Sequence, residues 1–333
     1  MRNIFNRGVN KFNRSKNQLL FNCGLEQIIN LPVRGGAIVC YHGIDLIENK
    51  KYNLRFISKD NLEKQFAFFK KHFNVLSVAD YFEGKLALDK FNIAITFDDG
   101  YKNNFKYLLP LVEKYQIPVS IYISGLNRTP YNYLWADMLD IVTIHSPLKY
   151  LELDGEVFVK KNGQFISDDG TSLKQFIKDA GSWKYKEILY NRLSCFGDIV
   201  KNNAIDDYWQ LMTDEEIKRV SQSSFITIGS HGFYHNNLGV MPIDQSVEEV
   251  TMSKNYIESL TQKNVDAIAF PDGSYNRLLV EKLKEIGIKN QLALAYHYPE
   301  DENDKNLLDR FGIYPVYNNS YQLLNIPNML GAK

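Results

Sequence analysis

The chain has 333 residues with 39 Lys+Arg against 39 Asp+Glu, so its formal charge is balanced and no overall field draws it toward nucleic acid. A hydrophobic share of 44%, rich in Tyr and Phe, supplies a core for one large domain or two modest ones and argues against disorder. Cys23, Cys40 and Cys195 are far apart and show no CxxC spacing, so neither a zinc knuckle nor a disulfide framework is expected, and free thiols in a reducing compartment are the plain reading.

In chain order, residues 1–25 carry Arg2, Arg7, Lys11, Arg14 and Lys16 but no apolar run long enough for a signal core, and no later segment reaches transmembrane length. The expectation is a cytoplasmic protein. Phe5, Val9, Phe12 and Leu19 fall near one face of a helix. This basic N-terminal segment, residues 1–35, either packs on the rest of the chain or makes a peripheral contact with the inner membrane face. Short β-branched runs at 37–41, 92–97, 119–123, 225–229 and 267–270 read as buried strands, with a last one at 311–317. Helical patterns lie between them at 61–72, 101–115, 245–260 and 276–286. Strand alternating with helix predicts an α/β fold on a parallel sheet, open or closed into a barrel. Residues 127–211 break the rhythm, with a helix at 133–145 and a hairpin at 151–165 whose turns are Asp154-Gly155 and Asn162-Gly163. They read as an inserted small β/α lobe.

Chemistry-bearing residues gather where two strands run out. Asp98 and Asp99, in TFDDG, are a costly pair after an apolar strand, although either could simply cap the helix that follows. His231 and His235, in SHGFYH, are four apart, which puts both on one side of a helical turn, the spacing one metal ion needs; two unrelated histidines are the alternative. Imidazoles with one carboxylate suit zinc and its neighbours. Strand ends of a parallel sheet converge on one face, so the two motifs should meet there. A metal acidifies water, and a nearby carboxylate can take the proton, which is equipment for hydrolysing an amide or ester.

TFDDG followed by SHxxxH resembles the polysaccharide deacetylase family, also called the NodB-homology or carbohydrate esterase 4 family. FPDGSY at 270–275 is similar to that family's Pro-x-Gly loop, and YHG at 41–43, WADML at 135–139 and MTDEEIK before the second motif resemble members with a long insertion. The resemblance implies a distorted, incomplete (β/α) barrel formed by 36–126 and 212–320, with 127–211 inserted and 321–333 as a tail. It implies Asp98 as catalytic base and a divalent metal, zinc by preference, on Asp99, His231 and His235. It also implies an oxyanion donor in the loop of Pro271, Asp272 and Gly273, near the Asp272 amide. The implied substrate is a carbohydrate or lipid-linked sugar losing an N-acetyl group, with no nucleic-acid partner.

The chain departs from the family pattern at three points. Ala269 stands where an arginine is usual, Asp272 replaces an aromatic residue, and the late histidine that serves as general acid has only His297 as a candidate, with a plain loop histidine as the alternative. Arg310 resembles an arginine found before the last strand in a subgroup; it would bind substrate or orient a carboxylate, unless it is a surface residue. His42, after the first strand, faces the site or is structural. An esterase or deformylase at the same site, and a sugar-binding protein on a decayed scaffold, remain rival readings.

Overall fold

The computed structural model describes residues 34–47 and 49–314. The basic segment read at 1–35 lies almost wholly outside the described residues, as do Cys23, the end of the 311–317 strand and the 321–333 tail. No helix among the described residues is long and apolar enough to cross a membrane.

The strands, in chain order, are β1 Gly36–Tyr41, β2 Ile44–Asp45, β3 Ile57–Ser58, β4 Asn74–Val75, β5 Asn92–Phe97, β6 Val119–Ile123, β7 Tyr150–Leu153, β8 Glu156–Lys161, β9 Gln164–Ile166, β10 Ile226–Ser230, β11 Ala267–Ala269, β12 Asn290–Leu292, β13 Leu307–Leu308 and β14 Phe311–Gly312. The main sheet runs β13-β12-β11-β10-β6-β5-β1-β14, with β4 beside the start of β5, and its pairs are parallel. Its two edge strands are joined by only Asp309 and Arg310. A connection that short forces the sheet to curl until its edges nearly meet, and because β13 and β14 do not pair, the barrel stays incomplete.

The strands read at 37–41, 92–97, 119–123, 225–229 and 267–270 form within a residue of the expected limits, largely buried on both faces, whereas the one read at 311–317 is already over at Gly312. On one face Val39, Ile95, Phe97, Ile121 and Ile228 pack under helices such as Lys59–His72 and Ile243–Thr261. On the other, Ile38, Ala94, Tyr122, Ala269 and Leu292 fill the barrel interior. With a side-chain period of two, the interior rows 38-40-42 and 94-96-98 climb to His42 and Asp98 at the top. The pairing of Ile38 with Ala94 and Cys40 with Thr96 keeps those rows side by side. The 101–115 pattern is helical but opens with a π-helical stretch, Asn104–Leu108, before Leu109–Tyr115.

Residues 127–211 hold a three-stranded antiparallel sheet, β7-β8-β9, and the helices Trp135–His145, Leu173–Ala180, Trp183–Arg192 and Phe196–Lys201. Asp154-Gly155 and Asn162-Gly163 turn its hairpins with positive φ at both central residues (55° and 84°, 51° and 76°), as tight hairpins demand. Its core is separate from the barrel's and built around Phe158, Phe165, Ile177, Leu189 and Tyr190.

Candidate metal and catalytic centre

Four loops leave the C-terminal ends of parallel strands and converge: His42 after β1, Asp98 and Asp99 after β5, His231 to His235 after β10, and Pro271 to Gly273 after β11. Asp98, Asp99, His231 and His235 are all buried, at 3%, 1%, 2% and 8% exposure. They form the floor of a cleft of about 680 Å³. Asp99, His235 and Asp272 take the left-handed φ values of 74°, 53° and 52°, uncommon for side-chain-bearing residues and clustered here. Gly100, at φ 78°, follows because a Cβ there would lie 2.9 Å from Ile123.

His235 Nε2 lies 3.1 Å and His231 Nε2 3.4 Å from Asp99 Oδ1. His231 Nδ1 sits 2.7 Å from the Ala269 carbonyl, so in the neutral ring the proton is on Nδ1 and a lone pair on Nε2 faces Asp99. Asp99 Oδ1 is buried and accepts no hydrogen bond. A carboxylate oxygen and two imidazole nitrogens converge there, and the three side chains could hold one metal ion. Charge agrees with this: burial disfavours an imidazolium at His231, yet Asp98 and Asp99 hold its pKa above the usual value. The two histidines meet, but not as one helical turn. Residues 231–235 are an irregular loop bent at Gly232 (φ 71°) and His235, and their convergence comes from those two bends.

Asp98 points beside this group. Arg310 grips it with two hydrogen bonds, Nη1 to Oδ1 at 2.7 Å and Nη2 to Oδ2 at 2.8 Å. Nη1 also reaches Thr96 Oγ1 at 3.1 Å, and the Cys40 thiol donates to Asp98 Oδ2 at 3.4 Å. Burial alone would raise the Asp98 pKa, but the buried guanidinium outweighs it and holds the carboxyl at about 2. Arg310 enters the barrel from the seam between β13 and β14. It has room because Cys40, Ala94 and Ala269 keep that interior small.

His42 lines the cleft, and burial first, then Arg55, push its pKa down to about 4, so it is neutral at pH 7. In the turn of Pro271 to Gly273, the amides of Gly273 and Ser274 are spent on the Phe270 and Pro271 carbonyls. The Asp272 amide has no acceptor among the described residues. The Asp272 side chain meets Lys178 of the lobe. His297 is placed elsewhere: it is exposed, stacks on Tyr275 at 4.3 Å, and is not among the cleft residues.

Arg55 and Asp137 are site residues that no sequence motif marks as such. Arg55 Nη1 reaches Asp99 Oδ2 at 3.4 Å, and Asp137 accepts from Tyr101 Oη at 2.6 Å and Asn53 Nδ2 at 3.0 Å. Burial pushes Asp137 up to about 7 despite Arg55 and Tyr101. Asp137 lies in the WADML segment, which was the available signal. The lobe also supplies cleft walls through Trp135, Phe165, Lys174 and Lys178.

A parallel barrel with a buried two-histidine, one-aspartate group and a second, arginine-held aspartate at its strand ends defines a hydrolase of the carbohydrate deacetylase class. The family model for polysaccharide deacetylases matches residues 85–145 and 196–291, on either side of most of the lobe. Those residues make up a polysaccharide deacetylase domain. No curated protein matches it. Among solved structures it is similar to the Streptococcus pyogenes deacetylase PplD in complex with acetate, at 16% identity and TM-score 0.54, covering 86% of this chain and 96% of that one. It is also similar to the de-N-acetylase from Aggregatibacter actinomycetemcomitans (15%, TM-score 0.53, covering 87% and 99%). IcaB from Ammonifex degensii gives 14% identity and TM-score 0.52, covering 87% and 94%. At these identities the likeness is one of fold.

Proposed function

We propose that the chain is a metal-dependent de-N-acetylase acting on a sugar of a glycan, glycolipid or lipid-linked intermediate. The observation that carries this is the pairing of a buried, arginine-held carboxylate with a separate donor set, in which the His235 and His231 Nε2 atoms lie 3.1 and 3.4 Å from Asp99 Oδ1. Asp99, His231 and His235 would hold the ion, with zinc favoured by the two imidazoles. When bound, the metal supplies Lewis-acid polarisation of the acetyl carbonyl and acidifies water.

The chain's own residues do the rest. Asp98, kept ionised and oriented by Arg310, takes a proton from the attacking water. The oxygen bonds to the acetyl carbon, and the Asp272 amide meets the developing oxyanion. As the carbon–nitrogen bond breaks, the proton held by Asp98 passes to the nitrogen, so acetic acid and a free amine leave with atoms and charge balanced, and the acid's proton then ionises to the amine, giving acetate and ammonium. A bidentate grip costs Asp98 basicity, since a carboxyl held near 2 is a weak acceptor. The gain is a fixed anion at the reacting atoms.

The test is acetate release from N-acetylated oligosaccharides and lipid-linked N-acetyl sugars by protein first stripped of metal. Turnover should return with a divalent ion, and His235→Ala should not bind it stoichiometrically. Acetate release that ignores chelators, or full metal retention by His235→Ala, would overturn the reading. Formate release, or binding without turnover, would favour a deformylase or a sugar-binding protein instead.

A further inference from the structure

The two histidines are held by different means. The His231 ring is anchored by its own hydrogen bond, Nδ1 to the Ala269 carbonyl at 2.7 Å. The Nδ1 of His235 is buried and has no partner. No hydrogen bond behind the ring therefore fixes where His235 points, as one does for His231; its aim depends on the backbone of its loop, which is in the left-handed region at φ 53°.

Two buried ionic side chains grip that loop from opposite sides. From the barrel, Glu249 on helix Ile243–Thr261 accepts from the Tyr234 amide at 3.0 Å, the Asn236 amide at 3.2 Å and Asn236 Nδ2 at 2.8 Å. It fits so closely that a Cβ on Gly232 would stand 2.9 Å from its Oε1. From the lobe, Lys186 on helix Trp183–Arg192 is 2% exposed and donates its Nζ to the carbonyl oxygen of His235 itself. Trp183 of the same helix packs on Tyr234 at 4.8 Å between ring centres. A buried ammonium is costly unless its bonds are made, and this one spends a bond on a loop carbonyl of the site.

We propose that Lys186 is a positioning residue for His235, through which the inserted lobe sets the metal affinity of a centre it does not itself ligate. The proposal rests on the reading of Asp99, His231 and His235 as the metal centre. Partners behind metal ligands typically change affinity by about 10- to 100-fold when lost.

The experiment uses the full chain with Lys186→Met, which keeps the aliphatic stem and removes the donor. Zinc affinity is read by chelator competition, and hydrogen exchange of peptides spanning 231–236 is read without metal. The expected result is zinc binding at least tenfold weaker, with faster exchange at the Tyr234 and Asn236 amides. Lys184→Met, an exposed lysine on the same helix, should move neither. Unchanged zinc affinity together with unchanged exchange in folded Lys186→Met overturns the proposal. Should that variant fail to fold, Lys186→Gln, too short to reach the His235 carbonyl, takes its place, and unchanged values there overturn it equally. If the wild-type chain binds no zinc or other divalent ion, the metal reading falls, and exchange still decides whether Lys186 holds the loop.

Discussion

The barrel and the inserted lobe solve the same problem with different materials. The barrel packs Ile, Val and Phe on period-two strands, and backbone ladders place its side chains. The lobe has short helices and packs by rings: Tyr131 stacks on Tyr190 at 4.2 Å, Tyr133 lies tilted against Phe196 at 4.5 Å, and Trp209 meets both Tyr133 and Phe196. A ladder fixes a residue at a strand end to within a fraction of an ångström, which chemistry needs. A ring cluster can be varied in shape without disturbing that ladder, which suits a wall that meets the substrate. The proposed ligands and base accordingly come from the barrel, and Trp135, Phe165, Lys174 and Lys178 line the cleft from the lobe.

The largest expected effect tests whether chemistry lives only in the barrel. Asp98→Asn should retain metal and lose turnover by about 10²- to 10⁴-fold, because an amide cannot take the proton. Wild-type kcat in that variant, or loss of metal as complete as in Asp99→Asn, would assign the roles differently.

Next is the seam. Arg310→Met leaves Asp98 buried without its cation, which should cost about 3–5 kcal/mol of stability in denaturant titrations. In the wild type the depressed Asp98 pKa contributes stability above the unfolded carboxyl value, and this is lost as pH falls toward about 2. Without Arg310 burial prevails and the pKa rises, so the acid limb of the rate profile should move to higher pH. An unmoved limb would show that Arg310 does not set the charge of Asp98.

The last prediction separates the two regions by spectroscopy. All three tryptophans, Trp135, Trp183 and Trp209, fall in the lobe, so fluorescence follows the lobe while far-ultraviolet circular dichroism follows the whole chain. Ile177→Ala, deep in the lobe core, should cost about 2–5 kcal/mol and bring the fluorescence transition ahead of the dichroism one. Coincident transitions would mean that lobe and barrel unfold together.

The central strands were legible because a strand buried on both faces must be apolar throughout, as in AIVCY and NIAITF. β13, two residues long, and β4 carry no such signal; they exist because neighbours offer them an edge. Asp98, Asp99, His231 and His235 could be read from their adjacency and spacing, although the histidine spacing pointed to a helical turn and the loop reaches the same end through two positive-φ bends. Arg55, Lys186 and Glu249 gave no signal. Each acts through a contact outside its own element, from 13 positions for Glu249 to 49 for Lys186, and only folding brings them together.

The seam has one consequence for the order in which the molecule can be made. Asp98 and the arginine that neutralises it lie 212 positions apart, and the arginine arrives with the last described strands. On a ribosome the N-terminal strands emerge first. A nascent chain that has reached β12 would have to bury a carboxylate with no counter-charge, which disfavours closing the barrel around it. Arg310 is therefore a keystone of assembly as well as a partner of the proposed base: an ionised Asp98 is stabilised inside the barrel once translation has passed residue 310.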